Sequence, residues 1–146
     1  MRAVGLRLLL VLALPAAAGA GAVTLTGMSE FPALFGTYAP GGQCARHPQF
    51  TVDRAGMRFE LPGGPLLADR PEYGASYFGD GYSGIAVWFA PWFQGQGQDP
   101  ISVVFNADEK PGEVTIQAHD YDYRGGPRLP AQYRALVDGS PYRKCR

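Results

Sequence analysis

Lysine is nearly absent from this chain: Lys110 and Lys144 stand alone beside eleven arginines, and Lys plus Arg equals Asp plus Glu at 13 each in 146 residues. A balanced chain of this kind offers no basic face, so neither nucleic acid nor an anionic membrane surface is expected as a partner. Beyond Ala22 no apolar run approaches the roughly 20 residues that cross a bilayer. The two cysteines are far apart, with no Cys-x-x-Cys, which disfavours a cysteine-rich metal site or a local redox pair. Catalytic signatures are missing too: there is no H-E-x-x-H, no phosphate loop and no dinucleotide fingerprint. Ser76 and Ser83 lie among glycines but lack the G-x-S-x-G spacing of a nucleophile elbow. The chain therefore reads more as a binding protein than as an enzyme, with no cofactor expected.

The N-terminus supplies what the rest lacks. Met1 to Arg7 carries two arginines and no acid, Leu8 to Leu14 is wholly apolar, and Ala16 to Ala22 holds overlapping Ala-x-Ala patterns. This is the pattern of a secretory signal peptide cleaved after Ala20 or Ala22. The expected organisation is a leader over 1–22 and a single β-rich domain over 23–146, periplasmic or secreted. In that setting Cys44 and Cys145 are expected to form a disulfide. A closed loop of that size, about 100 residues, is worth at most about 4.7 kcal/mol in the chain-entropy account.

Glycine, proline and aromatics dominate the domain, favouring strands and turns. Gln49 to Asp53 and Met57 to Leu61 alternate around Arg54-Ala55-Gly56, where Gly56 suits the left-handed position of a three-residue hairpin loop. Ile101 to Asn106 and Glu113 to Ala118 flank a loop containing Pro111-Gly112, a second hairpin. The apolar stretch Ile85 to Phe89 predicts a strand placing Trp88 and Phe89 on opposite faces. Only one helix is expected, from Pro130 to a stop at Gly139, burying Tyr133, Leu136 and Val137 and pairing Arg134 with Asp138 at i,i+4. Short strands between Gly and Pro turns predict a mainly β fold: an antiparallel barrel or sandwich of six to eight strands with one short C-terminal helix.

Function concentrates in an aromatic segment. Tyr73, Tyr77, Phe78, Tyr82, Trp88, Phe89, Trp92 and Phe93 crowd 21 residues of the chain, as in surfaces that stack on sugars or anchor protein contacts. Phe89 and Tyr77 also suit core packing, whereas Trp92 and Phe93, after Pro91 and before the Gln94–Gln98 loop, suit partial exposure. The candidate binding residues are Tyr77, Tyr82, Ser83, Trp92 and Phe93. Carboxylates for glycan hydrolysis are available at Glu60, Asp69, Glu72, Asp80 and Glu109, but no spacing selects a pair. A metal site at His119 is disfavoured, because acids at i+1 and i+3 do not converge with it on a strand.

Three stretches carry a resemblance: Tyr38-Ala39-Pro40-Gly41-Gly42-Gln43-Cys44, Phe105 through Gly112, and Ser140-Pro141-Tyr142-Arg143-Lys144-Cys145. Together they resemble a family of small, functionally uncharacterised exported bacterial proteins. Ser83-Gly84 with Tyr77 or Tyr82 is similar to the loop that periplasmic inhibitors of c-type lysozyme present to the enzyme's cleft. That resemblance implies a small disulfide-bearing antiparallel β-barrel and an inhibitor-type role, although Ile85-Ala86-Val87 here follows Ser83-Gly84 where that family has x-x-Tyr. The expectation is a binding or inhibitor module of the bacterial envelope with a protein or glycan partner. An envelope scaffold or a glycan-acting hydrolase are the alternatives, and the oligomeric state is left open.

Overall fold

A computed structural model describes residues 23–74, 81–91, 93 and 99–145; the expected leader over 1–22 falls outside them. Ten strands form one antiparallel sheet: β1 (Val23–Thr24), β2 (Gly36–Pro40), β3 (Phe50–Asp53), β4 (Gly56–Phe59), β5 (Leu66–Ala68), β6 (Glu72–Gly74), β7 (Val87–Ala90), β8 (Ile101–Phe105), β9 (Val114–Ala118) and β10 (Tyr142–Lys144), with the helix α1 (Ala131–Asp138) before the last. In space they run β1-β6-β7-β8-β9-β10-β2-β3-β4-β5. The expected class is therefore observed, as a curled half-barrel with one short C-terminal helix. The strand count exceeds six to eight because β1, β5, β6 and β10 are two or three residues long, too short to show an alternating pattern in sequence.

The curl follows from chain length. β5 ends the spatial order, β6 lies near its other end, and only Asp69, Arg70 and Pro71 join them. Three residues span at most about 10 Å, so the two margins must approach each other. The backbone after β1 seals the approach, with Leu25 N–H donating to Pro71 O (2.9 Å) and Gly27 N–H to Asp69 O (2.6 Å).

Both expected hairpins form. β8 and β9 pair from Ile101↔Ala118 to Phe105↔Val114. In the first hairpin Asp53 pairs directly with Gly56, leaving only Arg54–Ala55 as the loop, with Ala55 N–H donating to Asp53 Oδ1 (2.8 Å). Gly56 is thus a strand residue at φ 149°, where a Cβ would strike the Ala68 carbonyl of β5. The glycine permits close strand approach rather than a left-handed turn.

One face of the sheet closes over an aromatic core. Phe50 stacks on Tyr38 (4.8 Å between centroids) and Phe59 (5.5 Å), and meets Phe105 and Tyr142 edge-on. The α1 residues Tyr133 and Leu136 are fully buried against it. Arg134 does not show the expected pairing with Asp138; its guanidinium reaches Asp122 Oδ2 at 2.7 Å. Asp122 stands at φ 58° and accepts from Leu129 N–H (2.9 Å), so this loop carboxylate lies in reach of the helix.

The C-terminus is held by backbone rather than by sulfur. β10 pairs with β2 over three residues, and Cys145 N–H donates to Thr37 O (2.8 Å). The expected Cys44–Cys145 bond is not formed: both are thiols and their sulfurs are not at disulfide distance. Strand pairing nonetheless makes them neighbours, and burial together with a hydrogen bond to Cys44 pushes the Cys145 thiol up to about 11.

β10 meets β9 at a single position, Tyr142↔Val114. Ser140 supplements that ladder: its hydroxyl accepts from Ile116 N–H (2.9 Å) and donates to Ile116 O (3.0 Å). Ser140→Ala leaves both peptide groups without a partner, at about 1–3 kcal/mol for each group that stays dry. A urea unfolding series should show the midpoint fall with little change in slope; an unchanged midpoint contradicts this role.

Candidate functional site

Strand alternation divides the side chains of β7, β8 and β9 between two faces. Phe89, Ile101, Val103, Phe105, Val114 and Ile116 belong to the core. Trp88, Ser102, Val104, Thr115 and Gln117 therefore face the other way, and Trp88↔Val104↔Thr115 is one row across three strands. The opposite-face reading of Trp88 and Phe89 holds. Gly74 pairs with Trp88 on β6, and a Cβ there would collide with the indole, so the ring occupies the space this glycine leaves.

A groove of about 620 Å³ runs along this outer face, bounded by Tyr82, Trp88, Val104, Glu109, Thr115 and Gln117 among others. Tyr82 and Ala86 line it, and between them runs the loop Ser83-Gly84-Ile85, with Ser83 and Gly84 exposed and Ile85 46% exposed. Hydrogen bonds fasten that loop to the β8–β9 turn. Tyr82 O–H donates to Glu109, Ile85 N–H donates to Glu109 Oε2 (2.8 Å), and Ala86 N–H donates to the Tyr82 oxygen (2.8 Å). Asn106 Nδ2 donates to Ile85 O (3.0 Å), while its Oδ1 accepts from Gly112 N–H (2.8 Å).

Glu109 reaches under the loop because of the backbone it sits on. Asn106, Asp108 and Glu109 have φ of 54°, 52° and 60°, a left-handed conformation uncommon for non-glycine residues. Gly84 completes the arrangement, since a Cβ there would run into the Glu109 carboxylate and the Tyr82 hydroxyl. The Tyr82 and Ile85 hydrogen bonds hold the Glu109 carboxyl below its ordinary value, and burial with the Glu109 bond raises the Tyr82 phenol. An ionised carboxylate engaged in this way is a structural tether; a glycosidase general acid needs the opposite shift.

At the far end of the β8–β9 hairpin the same face carries charge. Asp99, His119 and Asp120 bring ligand atoms within 4.8 Å of one another. Asp99 is 8% exposed, and its Oδ1 has no hydrogen-bond partner among the described residues. Burial, then the negative charge of Glu72, raises its carboxyl to about 6. The His119 ring stacks on Trp88 (6.0 Å between centroids, 22° between planes). The period-two argument against convergence fails here because β9 stops at Ala118 and Asp120 turns left-handed at φ 54°.

The chain matches no known protein family, no curated protein and no solved structure.

Of the residues singled out in sequence, Tyr82 lines the groove and Ser83, next to it in the chain, is exposed. Tyr77 and Trp92 lie outside the described residues. Phe93, expected to be partly exposed, is 3% exposed, stacked on Tyr133 (5.5 Å) and edge-on to Phe59 (5.9 Å). Pro91 and Phe93 are both buried, so the core extends past the end of β7. Trp88 and Glu109 stood out in sequence only as one of eight clustered aromatics and one of five carboxylates, and Asn106 did not stand out. The parts played by Asn106 and Glu109 depend on turn conformation and on contacts more than twenty residues away.

The tether has a definite pH window. Glu109 is lowered in the fold, so its contribution is complete above the ordinary carboxylate range and is lost as pH falls through its lowered value. Tyr82 is raised, so its contribution is complete below the ordinary phenol value and is lost as pH climbs through the raised one. Limited proteolysis should find the 82–86 loop most resistant between these limits, and Glu109→Ala should make it sensitive at neutral pH. Equal cleavage of variant and parent contradicts the tether.

Proposed function

We propose that this chain is an exported recognition module of the bacterial envelope, periplasmic or secreted, that presents the loop Tyr82 to Ile85 to a protein partner. The observation that carries this reading is the loop's preorganisation: an exposed apolar Ile85 whose backbone, together with the Tyr82 hydroxyl on the other side of Ser83-Gly84, is fastened by side chains from a different hairpin. A loop already held in one conformation loses little entropy on docking, and that saving appears as affinity. Tyr82, of a residue type enriched at protein interfaces, stands with the polar Ser83 beside the apolar Ile85. The resemblance to inhibitors of c-type lysozyme names the first partner to try, because Ser83-Gly84 is exposed and ready to enter a cleft.

A second reading has its own support. Trp88 lines a groove together with Thr115, Gln117 and Asp108, an aromatic surface bordered by hydrogen-bonding groups, which suits a glycan. Binding to soluble peptidoglycan fragments without any effect on lysozyme would select it.

The lysozyme reading is tested by adding mature protein in excess to c-type lysozyme acting on a cell-wall suspension. Lysis should slow, and Ile85→Asp should weaken inhibition by about 30-fold, as expected for a central contact worth about 2 kcal/mol. Unchanged lysis with the parent protein removes lysozyme as the partner.

Export carries a covalent expectation as well. Neighbouring Cys44 and Cys145 thiols should oxidise to a disulfide in an oxidising compartment. Protein recovered from a periplasmic fraction should begin at Gly21 or Val23 and weigh two hydrogens less than its reduced form. Unprocessed chain with two reactive thiols contradicts export.

A further inference from the structure

We propose that Asp99, His119 and Asp120 form a binding site for a divalent transition-metal cation of the zinc type. Each residue offers one ligand atom, and all three atoms lie within 4.8 Å of one another. Two donors on one tetrahedral ion, at bonds of about 2.0–2.2 Å, stand about 3.3–3.6 Å apart. His119 Nε2 and Asp120 Oδ1, 3.8 Å apart, already stand close to that spacing, and side-chain torsions would bring the Asp99 oxygen in to join them.

Geometry alone does not separate a cation site from a solvated group of acids; Asp99 does. It is more than nine-tenths buried, it contributes an oxygen to the cluster, and its Oδ1 lacks a hydrogen-bond partner among the described residues. A carboxylate in that position is costly unless something positive faces it. Among the described residues the charges that act on it are those of Glu72, His119 and Asp120. Three of these four side chains are acids, so a cation supplies the missing charge.

The donor set selects the kind of cation. One imidazole nitrogen with two carboxylate oxygens is a borderline set, favouring zinc and its neighbours over the all-oxygen shells that calcium and magnesium prefer. His119 and Asp120 side chains are 23% and 47% exposed, which leaves an entry path, while Asp99 forms the buried floor. Trp88 lies against the His119 ring and restricts its orientation, as outer-shell neighbours do for metal-bound imidazoles. The bound ion would cross-link the approach to β8 with the turn that follows β9.

The test uses the chain with Cys44→Ser and Cys145→Ser, so that thiolates cannot bind the probe. Calorimetric titration with ZnCl2 should show one site, and Asp99→Asn and His119→Gln should each weaken it at least tenfold. Co²⁺ in place of zinc should give d–d bands without a thiolate charge-transfer band, and Ca²⁺ should not compete. Asp120→Asn provides an independent variant if either of the others fails to fold. No zinc uptake by the folded parent, zinc affinity indifferent to the substitutions, or displacement by Ca²⁺ overturns the proposal.

Discussion

Tyr142 is the contact on which the rest of the fold depends. The sheet order places β10 between β9 and β2, so this three-residue strand joins one half of the sheet to the other. Tyr142 is its buried end: it is the sole residue paired with β9, and it pairs with Pro40 of β2 as well. Its ring meets Phe50 at 5.4 Å, and its hydroxyl donates to Leu136 O at 2.8 Å, which satisfies a carbonyl near the end of α1. Burial raises the phenol well beyond its ordinary value, so the donor stays protonated through the physiological range. Gly139 belongs to the same unit, because a Cβ there would meet the Tyr142 hydroxyl. Sheet closure, helix docking and the aromatic core thus converge on one side chain.

This arrangement changes what the C-terminal cysteine has to do. A tail held by β10 pairing on both sides does not need sulfur to stay in place. Oxidation of Cys44 with Cys145 would act mainly on the unfolded chain, by restricting its freedom, and would add little to contacts already made in the native sheet. What pins the tail is the hydrogen bonding of a three-residue strand, Tyr142-Arg143-Lys144, to its neighbours.

How far the sequence could be read depended on the range of the signal. Phe50 with Val52, and Val103 with Phe105, showed their shared face because alternation is local and these strands are long enough to repeat it. Pro130 and Gly139 bracketed α1 for the same reason. Arg134 escaped, since its partner Asp122 lies in a preceding loop and takes a left-handed conformation that an aspartate does not announce. The candidate site divided along the same line. Tyr82 and Ser83 were recognisable from an aromatic, glycine-rich context. Glu109 and Asn106 were not, because a carboxylate and an amide in a turn look like ordinary surface residues until the turn is seen folding beneath another loop. Phe93 was misplaced because proximity to the end of a strand says nothing about where the chain goes next.

The two faces of the sheet explain why the functional candidates fall where they do. The inner face satisfies itself: aromatic rings pack on aromatic rings, and the buried hydroxyls of Tyr38 and Tyr142 donate to Leu34 O and Leu136 O. The outer face does not. Ser102 Oγ and Asp99 Oδ1 are buried there without hydrogen-bond partners among the described residues, and each such atom costs about 1–3 kcal/mol. Three non-glycine residues of the β8–β9 turn adopt positive φ on the same side, a further cost of about 1–3 kcal/mol each. A small domain of marginal stability gains nothing for its core from these features. Their concentration at the two ends of one hairpin, with Trp88 between them, is what a surface shaped for binding would leave behind.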